Sequence, residues 1–200
     1  MTYTNENIGS IADICEFDLF LNIDFSSMDI EEHSFEKCEF ISCVFDGISL
    51  FNCVFRDCIF RKCQLTLVKV KNTTFADIEF ESCKLVGINF SECNNLCFSV
   101  SFVETILDSV VVFEKNLKKA YFGKCIIRNT DFSDCDMRNC TFLESQFERT
   151  TFHKCNLENS DFATAKGYQI DPINNKLKNA KFSLPEAYSF LLYLGIKIVE

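Results

Sequence analysis

The chain has 200 residues, of which 48% are hydrophobic, so its length is typical of one domain and it can bury a core. Its net charge of −9 leaves no basic footprint for direct nucleic-acid binding. No apolar run reaches the roughly 18 residues that a membrane helix needs, and Met1 to Ser10 lack the basic and apolar regions of a signal peptide. We therefore expect a cytoplasmic protein with no membrane partner.

Thirteen cysteines and 23 phenylalanines dominate the composition. Neighbouring cysteines are commonly separated by four residues, as in Cys38/Cys43 and Cys53/Cys58/Cys63, whereas zinc sites usually pair ligands two to four apart and then repeat that pair. Without an export signal, we interpret the cysteines as reduced thiols that fill a core. We therefore predict no metal and no cofactor.

The negative charge lies at the start of the chain. Residues 1–50 hold eleven acidic residues and one base, Lys37, whereas the other 150 residues hold 18 acids and 19 bases. The N-terminal quarter is thus the candidate charged surface.

A five-residue repeat begins at Phe20, from which a large apolar residue recurs at every fifth position up to Phe90. A small residue, often Cys, lies two positions before each of these centres. A helix needs a period near 3.6 and an exposed strand a period of 2, so neither explains the pattern. The repeat predicts a solenoid of short coils.

The phase of the repeat shifts after Phe90. Centres continue every fifth residue from Phe102 to Phe162, and counting back from Phe102 gives Cys97. Two extra residues therefore enter near Asn94–Asn95, within residues 91–98, and we predict a bulge at one corner. In this register all 13 cysteines, including Cys15 and Cys97, point inward.

Every fourth centre is a phenylalanine once the insertion is allowed for. The other three sets hold 24 centres, of which only nine are Phe. A five-residue period alone would not sort Phe in this way, whereas a coil of 20 residues stacks these side chains on one face. The predicted ladder comprises Phe20, Phe40, Phe60, Phe80, Phe102, Phe122, Phe142, Phe162 and Phe182.

We predict a solenoid over residues 1–182 and a C-terminal cap over residues 183–200. Ser183 to Glu186 resembles a capping box with an early proline, Gly195 would end the helix, and residues 196–199 suggest a short strand. One helix face (Ala187, Phe190, Leu191, Leu194) would cover the last coil. Because the other side is also apolar, we predict a homodimer. Its interface would comprise Tyr188, Leu192, Tyr193, Ile196 and Ile198.

The phrases CEFIS, CVFRD, CIFRK and CKLVG resemble the pentapeptide-repeat family, whose consensus is A-(D/N)-(L/F)-x-x, over residues 16–182. This resemblance implies an all-β, right-handed quadrilateral β-helix. The tail LLYLGIKIVE is similar to the end of the quinolone-resistance and microcin-immunity branch. That similarity implies two rods joined at their C-termini, a width and an acidity like those of DNA, and occupation of the DNA-binding saddle of DNA gyrase or topoisomerase IV.

The resulting hypothesis is a DNA mimic that protects a type II topoisomerase from quinolones or a peptide toxin, as an antibiotic-resistance or immunity protein. The alternative is a purely structural role, in which the acidic run only prevents the N-terminal edge from pairing with other chains. The candidate binding residues are Asp24, Asp29, Glu31, Glu32, Glu36, Glu39 and Asp46.

A second hypothesis is a scaffold with an unrelated protein partner, marked by apolar residues outside the inward positions. These are Phe51, Val54, Ile59, Phe98, Val103, Val111 and Phe113. No catalytic motif occurs, and the two histidines, His33 and His153, are expected to be an end-coil residue and a solvated residue. We therefore predict that the protein is not an enzyme.

Overall fold

The computed structural model describes residues 1–5 and 11–196 and is a four-sided parallel β-solenoid with a short C-terminal helix. Successive coils pair residue by residue about one coil length of 20 residues apart, as in Phe40 opposite Phe60. The predicted fold class is therefore confirmed. Within the described helices, none is long and apolar enough to span a membrane.

The strands, numbered in chain order, stack in parallel on four faces. The first face comprises β1 (Thr2–Thr4), β3 (Leu19–Leu21), β5 (Glu39–Ile41), β7 (Ile59–Arg61), β10 (Ile78–Glu81), β12 (Val100–Val103) and β15 (Phe122–Gly123). The second face comprises β8 (Gln64–Thr66), β11 (Lys84–Val86), β13 (Ile106–Asp108), β16 (Ile126–Arg128) and β18 (Gln146–Glu148). The third face comprises β14 (Val111–Phe113), β17 (Asp131–Ser133) and β19 (Thr151–His153). The fourth face comprises β2 (Ile14–Glu16), β4 (Ser34–Glu36), β6 (Val54–Arg56) and β9 (Thr74–Ala76).

Each pentapeptide points its centre and the residue two before it into the core and turns the corner just after. The corner residue commonly has a left-handed backbone, as in Asn22 (φ 54°), Lys62 (φ 54°) and Leu67 (φ 55°). Asn and Gly tolerate this region well, whereas longer side chains adopt it at a cost. The backbone ladder between coils offsets that cost, so the corner accepts charged residues that project outward.

The phenylalanine ladder is continuous. Successive rings from Phe20 to Phe182 have centroids 4.3–5.4 Å apart and interplanar angles of 26° or less. Tyr3 stacks on Phe20 at 5.0 Å and extends the ladder at its N-terminal end. Phe80 lies opposite Phe102 in β10 and β12, as the two-residue insertion requires. Such aromatic pairs contribute about 0.5–1.5 kcal/mol beyond area burial.

The insertion itself differs from the prediction. Cys97 is exposed and has a left-handed backbone (φ 61°), whereas Phe98 is buried with its ring centroid 5.8 Å from that of Phe90. The large ring takes the inward place, where it packs edge-on against Phe90 and beside the Lys115 ammonium. Two predictions were therefore wrong, the inward Cys97 and the outward Phe98. The other twelve cysteines are buried free thiols.

The C-terminal cap begins with a 3₁₀ turn (Glu186–Tyr188) and continues as helix α1 (Ser189–Tyr193). The predicted capping box does not form, because the residue before the turn is Pro185, without a side-chain hydrogen bond to the helix. Phe190 packs edge-on against Phe182, with centroids 4.7 Å apart, and so covers the end of the ladder. Leu194 is exposed rather than packed on the last coil. The predicted strand at 196–199 lies almost wholly outside the described residues.

Candidate partner-binding surfaces

The seven candidate acidic residues form a collar around the N-terminal coils instead of lying on one face. The strand register and single bridges place Glu39 on the first face, Asp24 and Asp46 on the second, Asp29, Glu31 and Glu32 on the third, and Glu36 on the fourth. This distribution follows from the repeat, because successive pentapeptides of one coil lie on successive faces. A partner that approaches from one side meets only part of the collar.

Several collar carboxylates already have partners. Glu39 pairs with Arg61, and Glu36 lies 3.3 Å from the Lys37 ammonium. Asp46 accepts the Thr66 N–H at 2.8 Å. The two ion pairs partly neutralise the first and fourth faces.

The third face holds the densest free negative charge, which we call the acidic trio (Asp29, Glu31 and Glu32). All three side chains are exposed, and in the described part of the chain none has a basic partner. Asp29 accepts the Glu31 N–H at 3.2 Å, and Glu32 accepts from the Asn52 amide at 3.4 Å. These hydrogen bonds orient Asp29 and Glu32 without neutralising the charge of the trio.

Neither histidine lies in a catalytic arrangement. The half-buried His33 places Nδ1 2.9 Å from the Glu31 carbonyl and Nε2 4.0 Å from the Asp13 carboxylate. His153 is exposed. Among the described residues, no three His, Cys, Asp or Glu side chains are grouped to hold a metal ion.

The outward apolar residues do not form one patch. Val111 and Phe113, in β14, are 40% and 41% exposed and lie side by side on the third face. Phe51 occupies the same face near the N-terminus, but Lys71 and Ser91 lie between it and Phe113 in the register of the coils. The remaining residues of the set, Val54, Ile59 and Val103, are half-buried on the fourth and first faces.

The C-terminal end carries a larger apolar surface. Tyr188, Leu192, Tyr193 and Ile196 are 51%, 67%, 40% and 50% exposed, and Ile198 lies outside the described residues. A groove of about 370 Å³ runs beside α1 and is lined by Tyr188 and Leu192 on one side and by residues 167–169 on the other. Of the predicted interface residues, Tyr188 and Leu192 therefore share this groove, whereas Tyr193 lines a separate cavity beside Arg149 and His153.

Sequence reasoning missed Lys115, a buried lysine with 2% exposure. Its ammonium donates to the Cys93 carbonyl at 2.7 Å, to the Ser91 carbonyl at 3.4 Å and to the Asn95 side chain. It also lies 5.3 Å from the centroid of the Phe98 ring. Burial lowers the pKa of Lys115. The missed signal was a charged residue two positions before the centre Leu117, where other coils place Cys, Ser or Thr.

Comparison with known proteins agrees with the repeat. A family described as a pentapeptide repeat region matches residues 33–110, and pentapeptide repeats in eight copies match residues 116–153, which together make up more than half of the chain. No curated protein matches it.

Solved structures share this architecture. HetL, a pentapeptide-repeat protein involved in heterocyst differentiation regulation from the cyanobacterium Nostoc sp. strain PCC 7120, has a TM-score of 0.58 and 11% identity over 86% of each chain. Full-length QnrB1, a plasmid-mediated fluoroquinolone resistance protein, has a TM-score of 0.49 and 18% identity over 98% of this chain and 95% of its own. The likeness to HetL shows the fold alone.

Proposed function

The chain is a pentapeptide-repeat protein, and from this premise we propose that it acts without catalysis as a DNA mimic that binds a type II topoisomerase. The partner would be DNA gyrase or topoisomerase IV in the cytoplasm, and binding would protect it from quinolones or a peptide toxin. The observation that carries the proposal is the acidic trio, which lies on one face of the solenoid and, among the described residues, has no basic partner.

The physical argument rests on charge and rigidity. An enzyme that binds phosphates in a basic groove attracts a body that presents carboxylates in a fixed array. The acidic trio supplies such an array, because its three residues lie within four positions of one coil and the Glu32 N–H donates to the Phe51 carbonyl of the next coil at 2.9 Å. The tail LLYLGIKIVE, which is similar to the topoisomerase-binding branch of the family, supports the same partner.

We further propose a homodimer through the C-terminal end. Phe190 covers the ladder from one side of α1, whereas Leu192 and Tyr193 remain exposed on the other. Such a dimer would place the acidic collars at its two far tips. Leu192→Glu should give monomers by light scattering with the β-sheet spectrum retained, and an unchanged mass would exclude this interface.

The functional test is gyrase supercoiling in the presence of ciprofloxacin, with and without the protein. Reversal of the acidic trio to Lys should abolish protection, because the charge contributes to binding but none of the three side chains is in the core. A matched control reverses Asp57, Asp77 and Glu144, which are equally exposed but lie elsewhere on the solenoid. Folding should be preserved, because lysine occurs at the same corner as Glu32 and the three control residues in other coils, and Lys69 and Lys71 flank Val70 as Asp29 and Glu31 flank Ile30.

Salt separates this proposal from the scaffold hypothesis. Binding through carboxylates should weaken steeply between about 50 and 200 mM salt. Salt-insensitive binding that is lost in Phe113→Ser would favour the apolar pair of Val111 and Phe113 instead. If the protein has no effect on either topoisomerase at any ratio, the DNA-mimic proposal is wrong.

A further inference from the structure

The backbone ladder of the fourth face is interrupted at the insertion. The last strand on this face is β9, and pairing resumes only with the bridge between Asn116 and Asp136. In the described part of the chain, no backbone hydrogen bond joins residues 94–99 to residues 116–119. In other coils this position is paired, as where the Cys135 carbonyl accepts the Asn156 N–H at 2.9 Å. Here the equivalent carbonyl, that of Cys93, accepts the Lys115 ammonium instead.

This interruption leaves strand-edge groups open to solvent. One coil further on, Asp136 donates its N–H to the Lys115 carbonyl at 2.9 Å, and its carbonyl accepts the Leu117 N–H at 2.8 Å. The corresponding N–H and carbonyl of the exposed Asn116 have no backbone partner. The Lys118 N–H is bonded to the Asn116 side chain at 3.2 Å, while the Lys118 carbonyl is free of backbone partners.

A groove of about 340 Å³ occupies this gap, and we call it the fourth-face groove. No acidic residue lines it, although the whole chain has a net charge of −9. The Lys118 ammonium forms an ion pair with the Asp136 carboxylate at 3.2 Å. Lys119 is exposed and, among the described residues, has no ion pair. The lining residues are Phe98, Ser99, Val100, Ser101, Asn116, Leu117, Lys118, Lys119 and Ala120.

We propose that the fourth-face groove binds an extended acidic peptide segment of a partner protein. The free carbonyls of Asn116 and Lys118 need donors, and the free N–H of Asn116 needs an acceptor. A peptide backbone supplies both, as in strand addition at an open sheet edge. A phosphate group supplies acceptors only. The two lysines select carboxylate side chains on that segment. This site is separate from the acidic trio and does not depend on a topoisomerase.

The test is fluorescence anisotropy with a fluorescein-labelled, end-blocked peptide of alternating Asp and Val, titrated with the full-length protein up to about 1 mM. Saturable binding is expected. Lys119→Glu should weaken it about tenfold or more, because an attractive charge at the groove becomes repulsive. Lys154→Glu is the matched control, since Lys154 has the same corner position, exposure and charge on another face. It should leave the affinity unchanged.

Two further probes test the chemistry of recognition. The same peptide with N-methylated amides keeps its charge but loses its donors, so it should bind at least tenfold more weakly. Inorganic phosphate at matched ionic strength should not displace the peptide. The proposal is overturned if the wild-type protein does not bind the peptide, if both lysine variants weaken binding equally, or if N-methylation has no effect. Displacement by phosphate would also overturn it, since the groove would then be a simple anion site.

Discussion

Lys115→Met tests whether a single buried ammonium holds the insertion in place. Methionine keeps most of the length and the apolar stem of the side chain but removes all three hydrogen bonds to the Ser91, Cys93 and Asn95 oxygens. The exposed Asn95 side chain can turn to water, whereas the Cys93 carbonyl lies in a buried contact. The main consequence is therefore one buried acceptor without a donor.

The expected loss of stability follows from that unpaired acceptor. A buried polar group left unpaired costs about 1–3 kcal/mol, and removal of the cation–π contact with Phe98 adds about 0.5–1 kcal/mol. Against this, the variant no longer desolvates an ammonium group. We expect a net loss of about 2 kcal/mol in the free energy of unfolding, or a fall in Tm of about 4–8 °C for a chain of this size.

The assay is denaturant unfolding followed by circular dichroism, together with hydrogen exchange of peptides that cover residues 93–99. Exchange should accelerate in this segment and stay unchanged in β4 to β7. Lys154→Met, at an exposed corner, should change neither quantity. A loss below about 0.5 kcal/mol with unchanged exchange would refute the role assigned to Lys115.

A second variant distinguishes loss of the ammonium contacts from general damage to the core. Lys115→Ala leaves a cavity lined by the same oxygens and the Phe98 ring. Methylammonium or ethylammonium should enter it and restore part of the lost stability, whereas tetramethylammonium is too large and has no N–H donor. Equal effects of all three ions would show that the cage does not recognise an ammonium group.

The cysteines, Gly167 and Asp136 each allow a further test. A thiol reagent should modify one cysteine per native chain and none in Cys97→Ser, since the other twelve thiols are buried; rapid labelling of several would contradict this. Gly167→Ala should cost at least about 2 kcal/mol, because φ is +74° and a Cβ would lie 2.3 Å from the Phe147 carbonyl oxygen; an unchanged midpoint in urea would exclude that strain. The Arg138 guanidinium lowers the pKa of Asp136 to about 2. Because the folded pKa is below the unfolded one, this stabilisation is complete above about pH 4 and is lost as the pH falls towards 2. Asp136→Asn should remove that acid dependence, worth less than about 1 kcal/mol, and identical acid titrations would disprove it.

The regular part of the fold is predictable because its contacts are made only between neighbouring coils. Each coil contacts only its two neighbours, so the five-residue period and the Phe at every fourth centre determine the register from Phe20 to Phe182. The face of each charged residue follows from the same count, and the collar could have been derived by placing Asp24, Glu31 and Glu36 around one coil. The prediction treated them as one surface because it read them in linear order.

The insertion was not predictable in this way. Outside the repeat, no period decides whether Cys97 or Phe98 turns inward, and the answer depends on the space left beside Phe90 and on the charge of Lys115 from the next coil. That contact joins residues about one coil apart, and its position became visible only when both coils were in place. The fourth-face ladder is interrupted at the same place, where the Cys93 carbonyl accepts the Lys115 ammonium instead of a backbone N–H.

The C-terminal cap is predictable from the sequence only in part. The composition of the tail predicts an apolar helix, and α1 is one, but the capping motif does not form and Phe190 docks against Phe182. The sequence by itself determined the coil, its register and its thiol-lined core, because these are set by repeated neighbour contacts. Only the tertiary structure decided the insertion, the groove beside it and the packing of the cap, because each depends on one unrepeated contact between segments.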